Sequence, residues 1–450
     1  MVAVRRTRQW VLGAFPAAVA GGLAACAPGG GTGGAGESAP GPARQPVGLT
    51  FESYASGGQA GGQINEIENW KQTFERAKAT SPWITVDSTF VGSLTPGSYD
   101  RWTAAMAAGS APSIMEFETK RMASFAEKGT LLDLTQRAAR SRAAKKEDFI
   151  EADWDKCVYK GKLWMQIAMS KPAVLFYNTE LLKKVGAGDL TTRWGDPAWT
   201  WDALLALGKR VMSSGAAPFA FGQSNWWVYQ QPFLWSNGGD FVDKDVARGA
   251  VDQPAALEAL QRMADFNLKD KAVASAINNT MGAKFETGQI AIYHNNSGNW
   301  LGYGQVPELK WNVAPIPTGK AGTIARNPPN GWAISAQEKH PDDAWSMVEQ
   351  LVQPDALRNI EGVPDRKAQA EAGDFAAAKV PGLNWKVFID AKKNSRDEPA
   401  TPYFQDLDKT LNNGPINDAL WRGELSVKEW ATRAREKIDA VLQGKGPQDW

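Results

Sequence analysis

Histidine and cysteine are nearly absent from this 450-residue chain, which has two of each: His294, His340, Cys26 and Cys157. A structural zinc site takes four Cys/His ligands, and a catalytic one usually takes three His, Cys or carboxylate ligands. Neither set can be assembled and no H-E-x-x-H occurs, so no metal and no cofactor are expected. Two histidines, one of them beside Pro341, also supply general-base chemistry poorly. An excess of one charge sign is missing too, since 50 Lys and Arg face 49 acids. A nucleic-acid binder shows a basic excess or stripe, whereas the longest cationic cluster here is Arg140-Ser-Arg-Ala-Ala-Lys-Lys146, a solvated helix face by its pattern. Nucleic acid is not an expected partner. The chain also has no G-x-S-x-G elbow and no G-x-x-x-x-G-K-[ST] loop. Carboxylates are plentiful, so a glycosidase pair stays open, although no two of them stand out.

The N-terminus reads as an address. Arg5, Arg6 and Arg8 precede an apolar run, Trp10–Ala20, and then Leu23-Ala-Ala-Cys26. Charged, apolar and small-residue regions in that order make a secretory signal. The apolar run is too short, and too broken by glycine and Pro16, to span a bilayer. Its end resembles the lipobox of bacterial lipoproteins, which implies a leader over 1–25 and lipidation of Cys26. Loss of the leader removes three Arg and leaves 47 cations against 49 acids. Cys157 then remains as a small buried hydrophobe. Residues 26–46 are rich in Gly, Pro and Ala and read as a flexible tether. Within it, Gly31-Thr-Gly33-Gly-Ala-Gly36 matches a dinucleotide fingerprint, but no strand precedes it and no helix follows.

From Val47 short apolar strands alternate with helices, which predicts α/β units with largely parallel sheets. Strands are expected at 47–51, 83–91, 113–117, 163–169, 174–178, 290–293 and 311–315. Thr200 is placed as the N-cap of a helix, Pro254 and Pro341 at helix starts, and Ser426-Val-Lys-Glu429 as a capping box. Trp345 and Trp430 fall on helical apolar stripes and read as core.

Tryptophan is in excess, with 20 copies. Several are placed outside helices and beside Asn, Asp and Gly: Trp226-Trp227 in a loop, Trp235 before Gly238-Gly239-Asp240, Trp300 after His294–Asn299, and Trp332 after Asn327–Gly331. Aromatic plates beside amides and carboxylates suit a sugar, whose C–H face packs on a ring while its hydroxyls take paired hydrogen bonds.

These residues carry a resemblance that spans 47–450. Its landmarks, in order, are Gly109-Ser-Ala-Pro-Ser-Ile114, Lys128-Gly-Thr-Leu-Leu-Asp-Leu134, Tyr159-Lys-Gly-Lys-Leu163 and Leu175-Phe-Tyr-Asn178. Thr200-Trp-Asp-Ala-Leu204, Phe285-Glu-Thr-Gly-Gln-Ile-Ala-Ile292, Gly331-Trp-Ala-Ile334 and Pro341-Asp-Asp-Ala-Trp345 follow. In these the chain resembles the extracellular solute-binding proteins of carbohydrate-uptake ABC transporters, the family that includes maltodextrin-binding proteins. Ser113 replaces the usual Asp, and Lys171 stands where some maltodextrin binders carry an acid. Maltodextrin itself is therefore not implied.

The resemblance implies a periplasmic-binding-protein-like fold of type II, with two α/β lobes of mainly parallel sheet hinged around a ligand cleft. The N-terminal lobe is expected over 47–168 and 294–360 and the C-terminal lobe over 169–293 and 361–450, with crossings near 168–171, 293–296 and 360–365. Implied ligand contacts are Ser53, Tyr54, Glu118, Trp226, Trp227, Trp235, Asp240, Asn296, Asn299, Trp300, Asn330 and Trp332, with Lys171 and Tyr403 at the margin. The implied protein is a monomeric, lipid-anchored receptor on the outer face of the membrane that delivers a carbohydrate to an ABC permease, and not an enzyme. The alternatives are a lipid-anchored carbohydrate-active enzyme, with a carboxylate pair across the cleft, and a binder of a phosphorylated polyol. The latter needs a cationic cleft, for which Lys171, Lys120 and Arg121 are available.

Overall fold

Strand–helix alternation from Val47 onward reappears in the computed structural model of the protein, which describes residues 44–450 apart from 55–65, 92–95, 274–280, 374, 376–379 and 413. The leader, Cys26 and nearly all of the tether lie outside the described residues, as does the Gly-rich loop after the first strand.

Strand β1 (Val47–Tyr54), β2 (Ile84–Val91) and β3 (Ile114–Glu118) come first. A hairpin of β4 (Val158–Tyr159) and β5 (Lys162–Leu163) precedes β6 (Gln166–Ser170). Only Lys171-Pro172 separates β6 from β7 (Ala173–Asn178). Then follow β8 (Phe219–Gly222), β9 (Ile290–Asn296), β10 (Trp311–Ala314), β11 (Ala325–Arg326), β12 (Pro329–Ile334), β13 (Val363–Pro364) and β14 (Ser395–Arg396). One sheet has the order β13-β6-β12-β3-β1-β2 and the other β10-β7-β9-β8, with β11 and β14 forming a short pair of their own.

Both sheets are mixed, where mainly parallel sheets are predicted. β1 runs parallel to β2 and β3, and β8 to β9, but β12 is antiparallel to β3 and β6, β13 to β6, and β7 to β9 and β10. Helical crossovers force parallel neighbours. By contrast, β6 leads out of the first sheet and β12 leads back into it, and neighbours that leave and return run in opposite directions.

Lys171-Pro172 carries the chain from the first sheet to the second, Asn327-Pro328 returns it, and the residues after Pro364 take it out again. Residues 293–296 are no crossing, because they continue β9 beside β7 in the second sheet. Segment 297–326, expected in the N-terminal lobe, packs with the second sheet through Trp300, Leu301, Tyr303, Trp311 and Val313. The polar run His294–Asn299 looks like a linker, but it is the end of a buried strand followed by one helical turn.

One core fills the first lobe around Trp332, whose ring meets Phe51 at 5.2 Å and Trp70 at 5.0 Å. The second lobe has a core on each face of its sheet, and β7 serves both: Leu175 and Tyr177 face one, Val174 and Phe176 the other. Local signals also act as written. Thr200 accepts from the Ala203 amide, Pro254 and Pro341 occupy first helical turns, and the Ser426–Glu429 box closes in both directions. Trp345 and Trp430 are buried.

Candidate functional site

The ends of β1 and β3 and the crossing residue Lys171 bring the first group of side chains together. Glu116, fully buried on β3, accepts from Ser53 Oγ at 2.7 Å and the Tyr54 amide at 3.1 Å with one oxygen, and from Asn330 Nδ2 at 3.0 Å with the other. β12 lies against β3 with Asn330 opposite Glu118 and Trp332 opposite Glu116, so Asn330 reaches the Glu116 carboxylate diagonally on the same face. Burial pushes Glu116 up, opposed by Lys171 and by those hydrogen bonds. Lys171 lies 4.8 Å above the Tyr54 ring and 3.7 Å from Glu361 Oε2.

Two residues further along β3, Glu118 stands at the start of the helix Thr119–Glu127. Its carboxylate meets Lys120 Nζ at 2.8 Å, Arg121 Nε at 3.4 Å and the Tyr99 hydroxyl at 3.3 Å. Burial raises this carboxyl, but the two cations outweigh it and hold Glu118 below the usual range.

The second lobe presents a partly exposed Trp226. Its indole donates to Asp408 Oδ1 at 2.9 Å, and its ring lies 5.0 Å from Lys120 Nζ and 5.8 Å from the Tyr229 ring. Asn296 donates to the Tyr229 hydroxyl at 2.8 Å, and Arg326 sits 5.5 Å from the same ring, paired with Glu398. Asn299 Nδ2 holds the Asn296 carbonyl at 3.2 Å, and the Gly298 amide donates to Asn296 Oδ1 at 3.1 Å. A Cβ on Gly298 would stand 3.1 Å from Asn296 Oδ1 and 3.4 Å from Lys171 Cδ, so glycine lets this turn approach the crossing. Ser53, Tyr54, Glu118, Lys171, Trp226, Asn296, Asn299 and Asn330 are thus gathered where the lobes meet.

The other four tryptophans expected at the site are buried. Trp227, Trp235 and Trp300 are 1% exposed and Trp332 is 0% exposed. Trp227 anchors to Asp408 Oδ1 at 3.0 Å, Trp235 packs under Arg396, and Trp300 donates to the Gly362 carbonyl at 3.2 Å beside Phe375. They do not lie in loops. Trp227 opens the helix Trp227–Ser236, Trp235 is inside it, Trp300 lies in the helix Asn299–Tyr303, and Trp332 is in a central strand, while Trp226 stays in the bend before the first of these. The helix Trp227–Ser236 is buried all round and contains Pro232, so it shows neither an amphipathic stripe nor an uninterrupted helical composition. Asp240 caps its own turn, accepting from the Phe241 amide at 2.7 Å, and pairs with Arg396 at 3.3 Å. Tyr403 precedes the helix Phe404–Leu411 and rests against the C-terminal segment at Gly444.

Sequence reasoning missed Glu116, Tyr229, Arg326, Glu361 and Asp408. Asp408 left a signal, because Phe404, Leu407, Asp408 and Leu411 share one helical face and a lone carboxylate on an apolar stripe needs buried partners. His294 is 1% exposed against Phe233, and burial pushes it down to about 3, so it stays neutral.

Two α/β lobes tied by three chain passages, with polar groups converging between them, define a hinged binding protein by fold. Over residues 62–357, well over half its length, the chain matches the family described as bacterial extracellular solute-binding protein. It belongs to that family. A Brucella abortus protein designated a binding protein is 26% identical over 310 residues, covering 66% of this chain and 72% of its own. The fold is shared with an ABC substrate-binding protein from Listeria monocytogenes solved with cycloalternan, at a TM-score of 0.76 and 17% identity over 89% of this chain and all of that one. It is shared also with an ABC transporter solute-binding protein from Thermotoga lettingae bound with α-D-tagatose, at a TM-score of 0.73 and 19% identity over 88% and 99%. Among the described residues, no helix is long and apolar enough to cross a membrane.

Proposed function

We propose that this chain is an exported receptor that closes on an uncharged sugar or oligosaccharide and hands it to an ABC permease. The observation that carries this reading is that each of the four described cations placed at the junction above has an acidic partner. Lys120 is held by Glu118, Arg121 by Glu118 and Asp408, Lys171 by Glu361, and Arg326 by Glu398. A phosphorylated polyol would compete against those carboxylates for each of its contacts. A neutral polyol instead finds two partly exposed rings, Tyr54 and Trp226, beside carboxylates and amides that hydrogen-bond hydroxyls in pairs. The sugars in the Listeria and Thermotoga complexes agree with this class.

Binding without turnover fits the placement of the acids. Glu116 and Glu118 share one strand, whereas glycoside hydrolysis flanks the scissile bond with its two carboxyls, and Asp408 on the second lobe is 0% exposed and held by Arg121 and two indoles. Closure needs no chemistry, because a ligand that touches both lobes binds the closed arrangement better and shifts the population towards it. The lipobox at Leu23–Cys26 and the tether over 26–46 support anchoring by lipid at the outer face of the membrane.

Intrinsic tryptophan fluorescence and thermal shift of the chain from residue 27, titrated with mono- and oligosaccharides, test the proposal. Saturable binding of one sugar class, with the ligand recovered intact after prolonged incubation, is expected. Binding of phosphorylated solutes alone, or cleavage of the ligand, overturns it.

A further inference from the structure

One cross-lobe contact runs through a fully buried carboxylate. Asp408 is 0% exposed and belongs to the second lobe through the helix Phe404–Leu411. Its Oδ1 accepts both neighbouring indoles, Trp226 at 2.9 Å and Trp227 at 3.0 Å, together with Asn412 Nδ2. Its Oδ2 takes the Arg121 guanidinium of the first lobe. One oxygen therefore orients a partly exposed ring and a buried anchor in its own lobe, while the other reaches across the seam.

Arg121 is equally divided. It is 0% exposed, with Glu118 at 3.4 Å and the Tyr99 ring at 4.5 Å on its own lobe, and Asp408 and the Phe404 ring at 5.4 Å on the other. Its Nη1 has no hydrogen-bond partner. Lys120 repeats the pattern beside it, ion-paired with Glu118 and set over the ring of Trp226. A third contact, Lys409 to Asp100 at 2.8 Å, crosses the same seam in partial contact with solvent.

We propose that Asp408 is a positioning residue that couples the orientation of Trp226 to closure of the lobes, with Arg121–Asp408 acting as a latch made only when the lobes meet. The inference rests on the reading above for its ligand-binding consequence, but the latch itself does not. A charge pair in a dry seam is held by mutual attraction and by the aromatic rings around it. Separation of the lobes exposes both partners to water, which solvates each of them. The pair therefore opposes opening by only the difference between those two environments. While it stands, Asp408 cannot swing away from the indole of Trp226, so a sugar stacked on Trp226 meets a ring already set for the closed form.

The test compares the wild-type chain from residue 27 with Arg121→Gln, Asp408→Asn and the double variant. Three readouts apply: small-angle X-ray scattering without ligand, tryptophan emission with and without a further Trp226→Phe change, and affinity for cycloalternan and D-tagatose. Arg121→Gln leaves the indole acceptor in place, so it decides the matter even where Asp408→Asn fails to fold. Expected are a larger radius of gyration without ligand in each variant, a changed Trp226 contribution to emission, and sugar affinity lower by about tenfold, the order for a coupled buried pair. The double variant should be no weaker than the worse single one. An Arg121→Gln protein with wild-type scattering, emission and affinity, and only a lower melting temperature, overturns the latch. A wild type that binds neither of these sugars nor any of the mono- and oligosaccharides titrated above counts against the sugar reading alone, and the ligand-free scattering still decides the latch.

Discussion

A tryptophan side chain serves equally well as a binding plate and as the largest filler of a core, and the two uses make opposite predictions. Trp332 touches Phe51 and Trp70 at the centre of the first lobe, so Trp332→Ala should cost about 3–5 kcal/mol by loss of burial and the cavity left behind. Chemical unfolding measures that loss, and the protein that stays folded should still bind its sugar. Trp226→Ala removes a partly exposed ring whose indole is shared with Asp408. Its melting temperature should change little while the fluorescence response to sugar is lost. The reverse result, with binding lost on truncation of Trp332 alone, would exchange the two roles.

Individual elements start and stop by chemistry that lies within a few residues. The helix Val427–Leu442 opens on Ser426, whose hydroxyl accepts from the Glu429 amide at 3.2 Å while Glu429 Oε2 accepts from the Ser426 amide at 3.0 Å. Ser426→Ala should lower stability by about 1 kcal/mol, read from thermal denaturation with ligand affinity unchanged. A loss several times larger would mean that the cap also supports the core beneath Trp430. β12 shows the opposite case, an element whose demand is not local. A Cβ at Gly331 would stand 2.1 Å from the Gln166 carbonyl of β6, where the register shifts, so glycine is required by a strand more than 160 residues away.

At the scale of the whole molecule, the three chain passages between lobes share one buried charge cluster. Asp365, just after β13, accepts from Ser170 at 3.2 Å and from Lys392, while Asp153 takes Asn327 at 2.8 Å, Lys156 at 3.1 Å and Lys392 at 3.3 Å. Asp397 and the Cys157 thiol face the same cluster. Burial, with Asp153 adding to it and Lys392 opposing, pushes Asp365 up to about 7 from its ordinary 3.8. The folded protein therefore holds a proton there that the unfolded chain releases. The stability from that proton is complete below 3.8 and is lost as pH rises through about 7. Asp365→Asn keeps the shape without the titration, so its stability relative to wild type should rise across that window in urea unfolding at a series of pH values. A difference that does not vary with pH would show Asp365 ionised throughout.

What the sequence determined by itself is what depends on neighbours in the chain: strand–helix alternation, the caps at Thr200 and Ser426, the buried stripes of Trp345 and Trp430, and the order of landmarks that marks the family. Ser53, Tyr54, Glu118 and Asn330 were named only through the resemblance, which the strand alternation alone would not have supplied. Only the tertiary structure decided which of the tryptophans keeps a face free, that the sheets are mixed, and that segment 297–326 stays with the second lobe. The physical reason is distance along the chain. Arg121 and Asp408 are 287 residues apart, and whether a cation is free or paired, or a ring buried or exposed, is settled only when such segments meet.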